Sequence, residues 1–174
     1  VDLILKKSAQ IKLVIFDVDG VLTDGSLFIG DDGQEYKAFN SKDGLGMKLL
    51  QRSGVAVGII TARQSNVVKL RMESLGIEHL YQGQQEKLPA FEQLLEKLSL
   101  DAHEVAYVGD DFIDLPIMIR CGLAIAVADS HERVIEQAHW VTERNGGRGA
   151  AREVCELIMA GQGTLESAVQ KFLK

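Results

Sequence analysis

The 174-residue chain has only two cysteines, Cys121 and Cys155, far apart and in no CxxC pair. That excludes a disulfide framework and predicts reduced thiols filling core space in a cytoplasmic protein. No apolar run approaches the length of a membrane span, and no basic region precedes an apolar core at the N-terminus, so neither anchoring nor export is expected. The sequence also lacks any block of five or more basic residues. With 19 Lys and Arg against 25 Asp and Glu, a formal net charge of −6 and a pI near 5.2, it offers no surface for nucleic acid or an anionic membrane. A small anionic substrate held by two or three local cations remains compatible with that balance. There is no internal repeat, low-complexity stretch or shift in composition, so the 46% hydrophobic content predicts one domain over 1–174 with a sizeable core.

What is present is a repeated alternation of short apolar runs with amphipathic segments. Leu13 to Phe16 is an unbroken apolar run, too short for a helix, that reads as a buried strand and ends in Asp17 and Asp19. Further strands are expected at Val55–Ile60, His79–Gln82, Val105–Val108, Leu123–Val127 and Trp140–Val141. Helices are expected from Asp43 to Ser53, through Val67 to Leu75, over 86–98, from Ile113 to Cys121, over 132–138 and over 150–160. In the first of these Leu45, Met47, Leu49 and Leu50 form the apolar face. The alternation implies an α/β fold: a doubly wound, mainly parallel sheet with helices on both faces.

Between the first strand and the first helix, Ser26–Ile29 and Glu35–Phe39 flank the turn Gly30-Asp-Asp-Gly33, predicting a projecting β-hairpin within 24–40. Its apolar residues Leu27, Phe28, Ile29, Tyr36 and Phe39 need covering, and a partner subunit would serve. Gly146-Gly-Arg-Gly149 lacks the GxGxxG spacing of a dinucleotide site and reads as a flexible loop carrying Arg148, with Arg152 just beyond it. The segment 162–174 is either a short helix or a mobile tail.

Functional residue types gather at the carboxyl ends of the predicted strands, where ligands bind in open α/β sheets: Asp17 and Asp19, Thr61, and Asp110 and Asp111. Lys87, at the start of its helix, leans over the same crevice. Two acid clusters with a hydroxyl and an ammonium suit a divalent cation and a phosphoryl group. Because all the ligands are oxygen and neither Cys nor His accompanies them, the expected ion is Mg2+ and not zinc.

These residues form four ordered motifs, Asp17-Val-Asp19-Gly-Val-Leu-Thr-Asp24, Thr61, Lys87 and Gly109-Asp110-Asp111-Phe-Ile-Asp114, which resemble those of the haloacid dehalogenase-like phosphatases. The resemblance implies Asp17 as nucleophile, forming an aspartyl-phosphate, and Asp19 as general acid and then general base. It implies Thr61, Ala62 and Lys87 around the phosphoryl group, and Mg2+ held by the Asp17 carboxylate, the Asp19 carbonyl and Asp110. Asp111 and Asp114 would act behind these ligands. The short spacings from Asp17 to Thr61 and from Thr61 to Lys87 leave no room for a large cap domain.

Within that superfamily, Val21 to Gly25, the hairpin, Thr61-Ala62-Arg63, Tyr81-Gln-Gly83 and Gly146 to Glu153 are similar to the family acting on 3-deoxy-D-manno-octulosonate 8-phosphate in lipopolysaccharide synthesis. That similarity implies a homotetramer with sites completed by adjacent subunits, and a sugar-acid substrate needing cations beyond Lys87. Arg63, Arg148 and Arg152 are the candidates, the last two being equally readable as a loop residue and a helix-surface residue. A phosphatase of a related nine-carbon sugar-acid phosphate is the nearest alternative. A receiver-type module would carry its phosphoacceptor where this chain has Thr61, and a silent oligomerisation module would be free to lose Asp17, Asp19 or Lys87, all of which are present.

Overall fold

The computed structural model describes residues 2–174. In chain order the elements are α1 (Asp2–Ala9), β1 (Leu13–Phe16), β2 (Phe28–Ile29), β3 (Glu35–Tyr36), α2 (Ser41–Arg52), β4 (Ala56–Ile60), α3 (Asn66–Ser74), β5 (His79–Tyr81) and α4 (Leu88–Leu98). β6 (Val105–Gly109), α5 (Leu115–Met118), β7 (Leu123–Ala126), α6 (Glu132–Ile135), β8 (Trp140–Val141), α7 (Ala150–Gly161) and α8 (Leu165–Gln170) follow. Six strands form one parallel sheet in the order β5-β4-β1-β6-β7-β8, and β2 pairs antiparallel with β3 apart from it.

The position of β1 follows from its side chains. All four residues of Leu-Val-Ile-Phe are buried, and a strand covered on both faces belongs inside a parallel sheet. Phe16 pairs with Ile59 on one side and Val108 on the other. From β1 the chain builds outward through β4 and β5, then crosses back to β6, β7 and β8. The strand order therefore reverses between β1 and β6, which is where a crevice opens in such sheets. Val14 and Phe16 face a core with α2, α3 and α7, whereas Leu13 and Ile15 face one with α4, α5 and α6. Both cysteines are free and buried. Among the described residues no helix is long and apolar enough to cross a membrane.

Several boundaries differ from the sequence reading. α1 lies in a stretch given no element there; it packs on α7, where a Cβ on Gly161 would come within 2.6 Å of Ser8 Cβ. α2 starts two residues early because the Asn40 side chain accepts hydrogen bonds from the backbone N–H of Lys42 (2.9 Å) and Asp43 (3.3 Å), a local cap. Leu45 is exposed, and Gly44 and Gly46 occupy the inner face instead. The expected helix over 113–121 is a 3₁₀ turn (Phe112–Asp114) followed by the single turn α5. The chain must leave it for Gly122, whose N–H donates to Val105 O at 3.0 Å and whose Cβ position lies 1.9 Å from His103 O. α6 ends early because the His139 N–H joins the Ala124 carbonyl at 2.8 Å, drawing the chain onto the sheet edge. Between 162 and 174, α8 forms.

Candidate active site

Asp17 follows the last residue of β1, and Asp110 follows the last of β6, so the reversal point places two carboxyls side by side. Oxygens of Asp17, Asp110 and Asp114 lie within 4.8 Å of one another. Lys87, at the N-terminus of α4, is 1% exposed, which a lysine tolerates only when its charge is matched. Its Nζ is 2.9 Å from Asp17 Oδ2 and 2.7 Å from Asp114 Oδ1, and it donates to the Tyr107 hydroxyl at 3.2 Å. Tyr107 in turn donates to Asp114 Oδ1 at 2.5 Å. The other Asp114 oxygen accepts the backbone N–H groups of Asp110 (2.9 Å) and Asp111 (3.2 Å). Asp114 thus has four donors on two oxygens: it fixes Lys87 and the end of β6.

Asp17 Oδ1 accepts the Val18 N–H at 2.6 Å. Burial, reinforced by repulsion from Asp114, raises the Asp17 carboxyl to about 7 against the pull of Lys87. Burial with repulsion from Asp114, Asp17 and Asp111 takes Asp110 to about 8. Burial alone would lower the Lys87 ammonium, but Asp17 and Asp114 outweigh it and hold it above its ordinary value. One lysine therefore does not balance three clustered acids. Asp110 Oδ1 is buried with no hydrogen-bond partner, a polar atom left for something else to satisfy. Gly20, at φ +86°, passes so close that a Cβ there would lie 1.9 Å from Asp110 Oδ2. An excess of buried negative charge, an orphaned carboxylate oxygen, an all-oxygen donor set and a backbone cradle fit a small hard cation such as Mg2+.

Thr61 follows β4, is 2% exposed, and has its N–H tied to Tyr81 O at 2.9 Å. The Ala62 carbonyl accepts from Gln85 Nε2 at 3.1 Å. Asp19 points away from the three acids toward the hairpin: Lys37 Nζ is 2.6 Å from its Oδ1 and Arg63 Nε 3.9 Å from its Oδ2. Arg63 also pairs through Nη2 with Glu35 Oε1, and its guanidinium holds the Glu35 carboxyl below the usual range.

Asp111 is not brought into the cluster. Its exposed side chain accepts the Phe112 N–H at 2.7 Å, capping the 3₁₀ turn. Arg148 and Arg152 stand apart as well: Arg148 pairs with Asp24 at 3.3 Å and Arg152 with Glu156 at 2.6 Å, and both line a cleft with Asn40, Lys42 and Arg144. The loop carrying Arg148, expected to be flexible, is tied down. Gly147 N–H donates to Val21 O at 2.8 Å and Gly146 N–H to Asp129 Oδ1 at 2.9 Å. A Cβ on Gly146 would lie 1.7 Å from Gly20 O, so its glycines let it press on the backbone just after Asp19.

Four residues the sequence reading left without a role stand in or beside the site. Lys37 and Glu35 alternate inward on the hairpin while Tyr36 turns out, a period-2 signal available in the sequence. Tyr107 was readable as a buried-strand tyrosine whose hydroxyl needs a partner. Asp43, buried and raised by burial above the ordinary carboxyl value, accepts the Arg152 N–H at 2.9 Å and so joins α2 to α7. Nothing in its local sequence announced that.

Residues 78–154 match the profile of the haloacid dehalogenase-like hydrolases. The chain is similar to 3-deoxy-D-manno-octulosonate 8-phosphate phosphatase of Escherichia coli K12, with 51% identity over 165 residues, 95% of this chain and 88% of that protein. Among solved structures, the Yersinia pestis phosphatase of the same name superposes with a TM-score of 0.93 at 48% identity, covering 94% of this chain and 88% of that one. The Moraxella catarrhalis phosphatase, in complex with a magnesium ion, a phosphate ion and KDO, gives 0.97 at 40% identity, covering 99% of both chains.

Proposed function

The chain belongs to the haloacid dehalogenase-like hydrolases, within the 3-deoxy-D-manno-octulosonate 8-phosphate phosphatase family, and from that premise we propose that it is the Mg2+-dependent phosphatase that releases KDO and phosphate from that ester. One observation carries the chemistry: at the strand-order reversal a buried Asp17 faces Lys87 at 2.9 Å, beside an Asp110 oxygen with no partner. Asp17 attacks phosphorus in line and becomes the aspartyl-phosphate. Asp19 protonates the departing alkoxide and then takes a proton from the water that cleaves the acyl phosphate. Lys87 and Thr61 hold phosphoryl oxygens, and Lys87 reduces the repulsion between the incoming dianion and the Asp17 carboxylate. Asp17, Asp110 and the Asp19 carbonyl are the residues that would hold Mg2+. When bound, the ion supplies positive charge opposite the phosphoryl oxygens and keeps Asp17 ionised at neutral pH. Asp114 works through Lys87 and the backbone of 110–111.

Arg63, at the mouth of the crevice, is the cation for the substrate carboxylate. The same reading makes the enzyme a cytoplasmic homotetramer of single-domain subunits without a cap domain. Leu27, Phe28, Ile29 and Tyr36, 47–62% exposed, cluster on the hairpin, an apolar surface suited to burial against another copy. The test is a panel of sugar phosphates assayed for kcat/KM with Mg2+ and with EDTA, beside the solution mass. The reading expects Mg2+-dependent hydrolysis strongest on the eight-carbon 2-keto acid ester and a mass of four chains. Preference for the nine-carbon ester would change the substrate, and hydrolysis of no phosphomonoester would end the proposal.

A further inference from the structure

We infer that the hairpin residue Glu35 is a built-in stand-in for the substrate carboxylate at Arg63, which the sugar acid displaces on binding and which displaces the product in turn. The inference rests on the sugar-acid reading above. Glu35 and Lys37, two apart on the hairpin, point the same way and meet Arg63 and Asp19, making a chain of four charges, Glu35–Arg63–Asp19–Lys37, that sums to zero. A substrate carboxylate arriving while Glu35 holds Arg63 therefore meets a neutralised guanidinium and an adjacent negative charge. The other cations at these strand ends, Lys87 and Lys37, are already engaged by buried or half-buried acids.

The geometry favours exchange over permanent pairing. Glu35 reaches Arg63 through a single nitrogen, Nη2, while Nε is buried without a hydrogen-bond partner. A guanidinium binds a carboxylate best through two parallel N–H groups, so a ligand that takes two of them as Glu35 swings aside outcompetes its one-point grip. The Arg63 side chain is 41% exposed and that of Glu35 18%, and ion pairs that solvent reaches have little net strength. Glu35 also stands on a strand of only two residues, paired solely with its hairpin partner, which is an element able to move.

The exchange has a kinetic use. The product keeps the carboxylate that the substrate brought, so a grip by Arg63 alone would hold product as firmly as substrate and slow its release. Such uniform binding lowers KM without raising kcat. A competing carboxylate on the hairpin weakens both equally and leaves the phosphoryl contacts to carry the difference.

The experiment compares wild type, Glu35→Gln, Glu35→Ala and Arg63→Gln on the 2-keto-3-deoxy sugar-acid phosphate and on mannose 6-phosphate, with the free sugar acid as product inhibitor. Both Glu35 variants are expected to lower the acid-to-neutral KM ratio by about two- to fivefold, the range of a partly exposed ion pair, and to lower the product Ki by a similar factor. Arg63→Gln is expected to raise both. A rise in the ratio or in Ki on replacing Glu35 would show that it orients Arg63 and would overturn the inference, as would no change. If wild type and Arg63→Gln treat the acid and the neutral ester alike, the sugar-acid reading fails and takes the inference with it. If Arg63→Gln behaves as expected and the Glu35 variants do not, only the inference falls.

Discussion

Replacing Asp114 with asparagine tests the buried charge network most severely, because the change is almost isosteric and alters only donors and acceptors. In the wild type one oxygen receives Lys87 Nζ at 2.7 Å and the Tyr107 hydroxyl at 2.5 Å, and the other receives two backbone N–H groups at 2.9 and 3.2 Å. An amide can present its oxygen to one of these pairs only; its NH2 then faces the other pair, donor against donor. A buried donor left unsatisfied costs about 1–3 kcal/mol, and two give about 2–6 kcal/mol. Loss of the Asp114 charge also relieves Asp17 and Asp110, whose carboxyls it pushes upward, and this offsets part of the cost. The net expectation is about 2–5 kcal/mol from a total stability on the order of 5–15 kcal/mol. Urea denaturation of the metal-free protein at pH 7 reads this directly. Tyr107→Phe, which removes one donor and leaves Asp114 intact, is expected to cost only about 1 kcal/mol. A loss below about 1 kcal/mol for Asp114→Asn would refute the assignment of Asp114 as a charged anchor with four donors.

Two further predictions concern the cation site, and one the catalytic pair. In the metal-free protein Asp17 and Asp110 have folded-state values of about 7 and about 8 against an ordinary value of 3.8, so the native state binds more protons than the unfolded one between those limits. Stability attributable to these groups is fully present below about pH 4 and is lost as pH rises through about 8; Tm should fall across that window without metal, and Mg2+ should restore more of it at pH 8 than at pH 6. Gly20→Ala places a Cβ 1.9 Å from Asp110 Oδ2 on a backbone at φ +86°, and should abolish measurable Mg2+ binding by isothermal titration calorimetry while the far-UV spectrum stays native. Asp19→Asn should lower kcat by about 10²- to 10⁴-fold, whereas Asp17→Asn should leave no turnover above background.

Much of this arrangement is legible in the sequence for an identifiable reason. Strand ends write their chemistry in consecutive residues, so Phe16-Asp17 and Gly109-Asp110 carried both the burial and the acid, and the strand alternation placed them at one edge. Boundaries were harder where a tertiary contact overrode the local pattern. The helix after Asp114 stopped because the Gly122 N–H had to reach the Ala102 and Val105 carbonyls, and α2 began early because Asn40 was free to cap it. The partnering of charges was the least legible. Nothing in the order of residues showed that Arg148 would pair with Asp24, or that Asp111 would cap a turn while Asp114 went inward to Lys87. The loop at Gly146 read as flexible because glycines are ambiguous in sequence: they serve mobility and close approach alike, and only the backbone packing, in which a Cβ on Gly146 would lie 1.7 Å from the Gly20 carbonyl oxygen, decides which.

The central claim is that Asp17 accepts the phosphoryl group. Rapid acid quench of the wild-type enzyme in turnover with Mg2+ and the sugar-acid phosphate, followed by peptide mass mapping, tests it most directly, because acid protonates Asp19, stops the water attack it promotes and traps the acyl phosphate. The account predicts one phosphoryl group, labile to mild base, on the peptide containing Asp17, and none in the Asp17→Asn protein. A phosphoryl group on any other residue, or sustained turnover by Asp17→Asn, would contradict it.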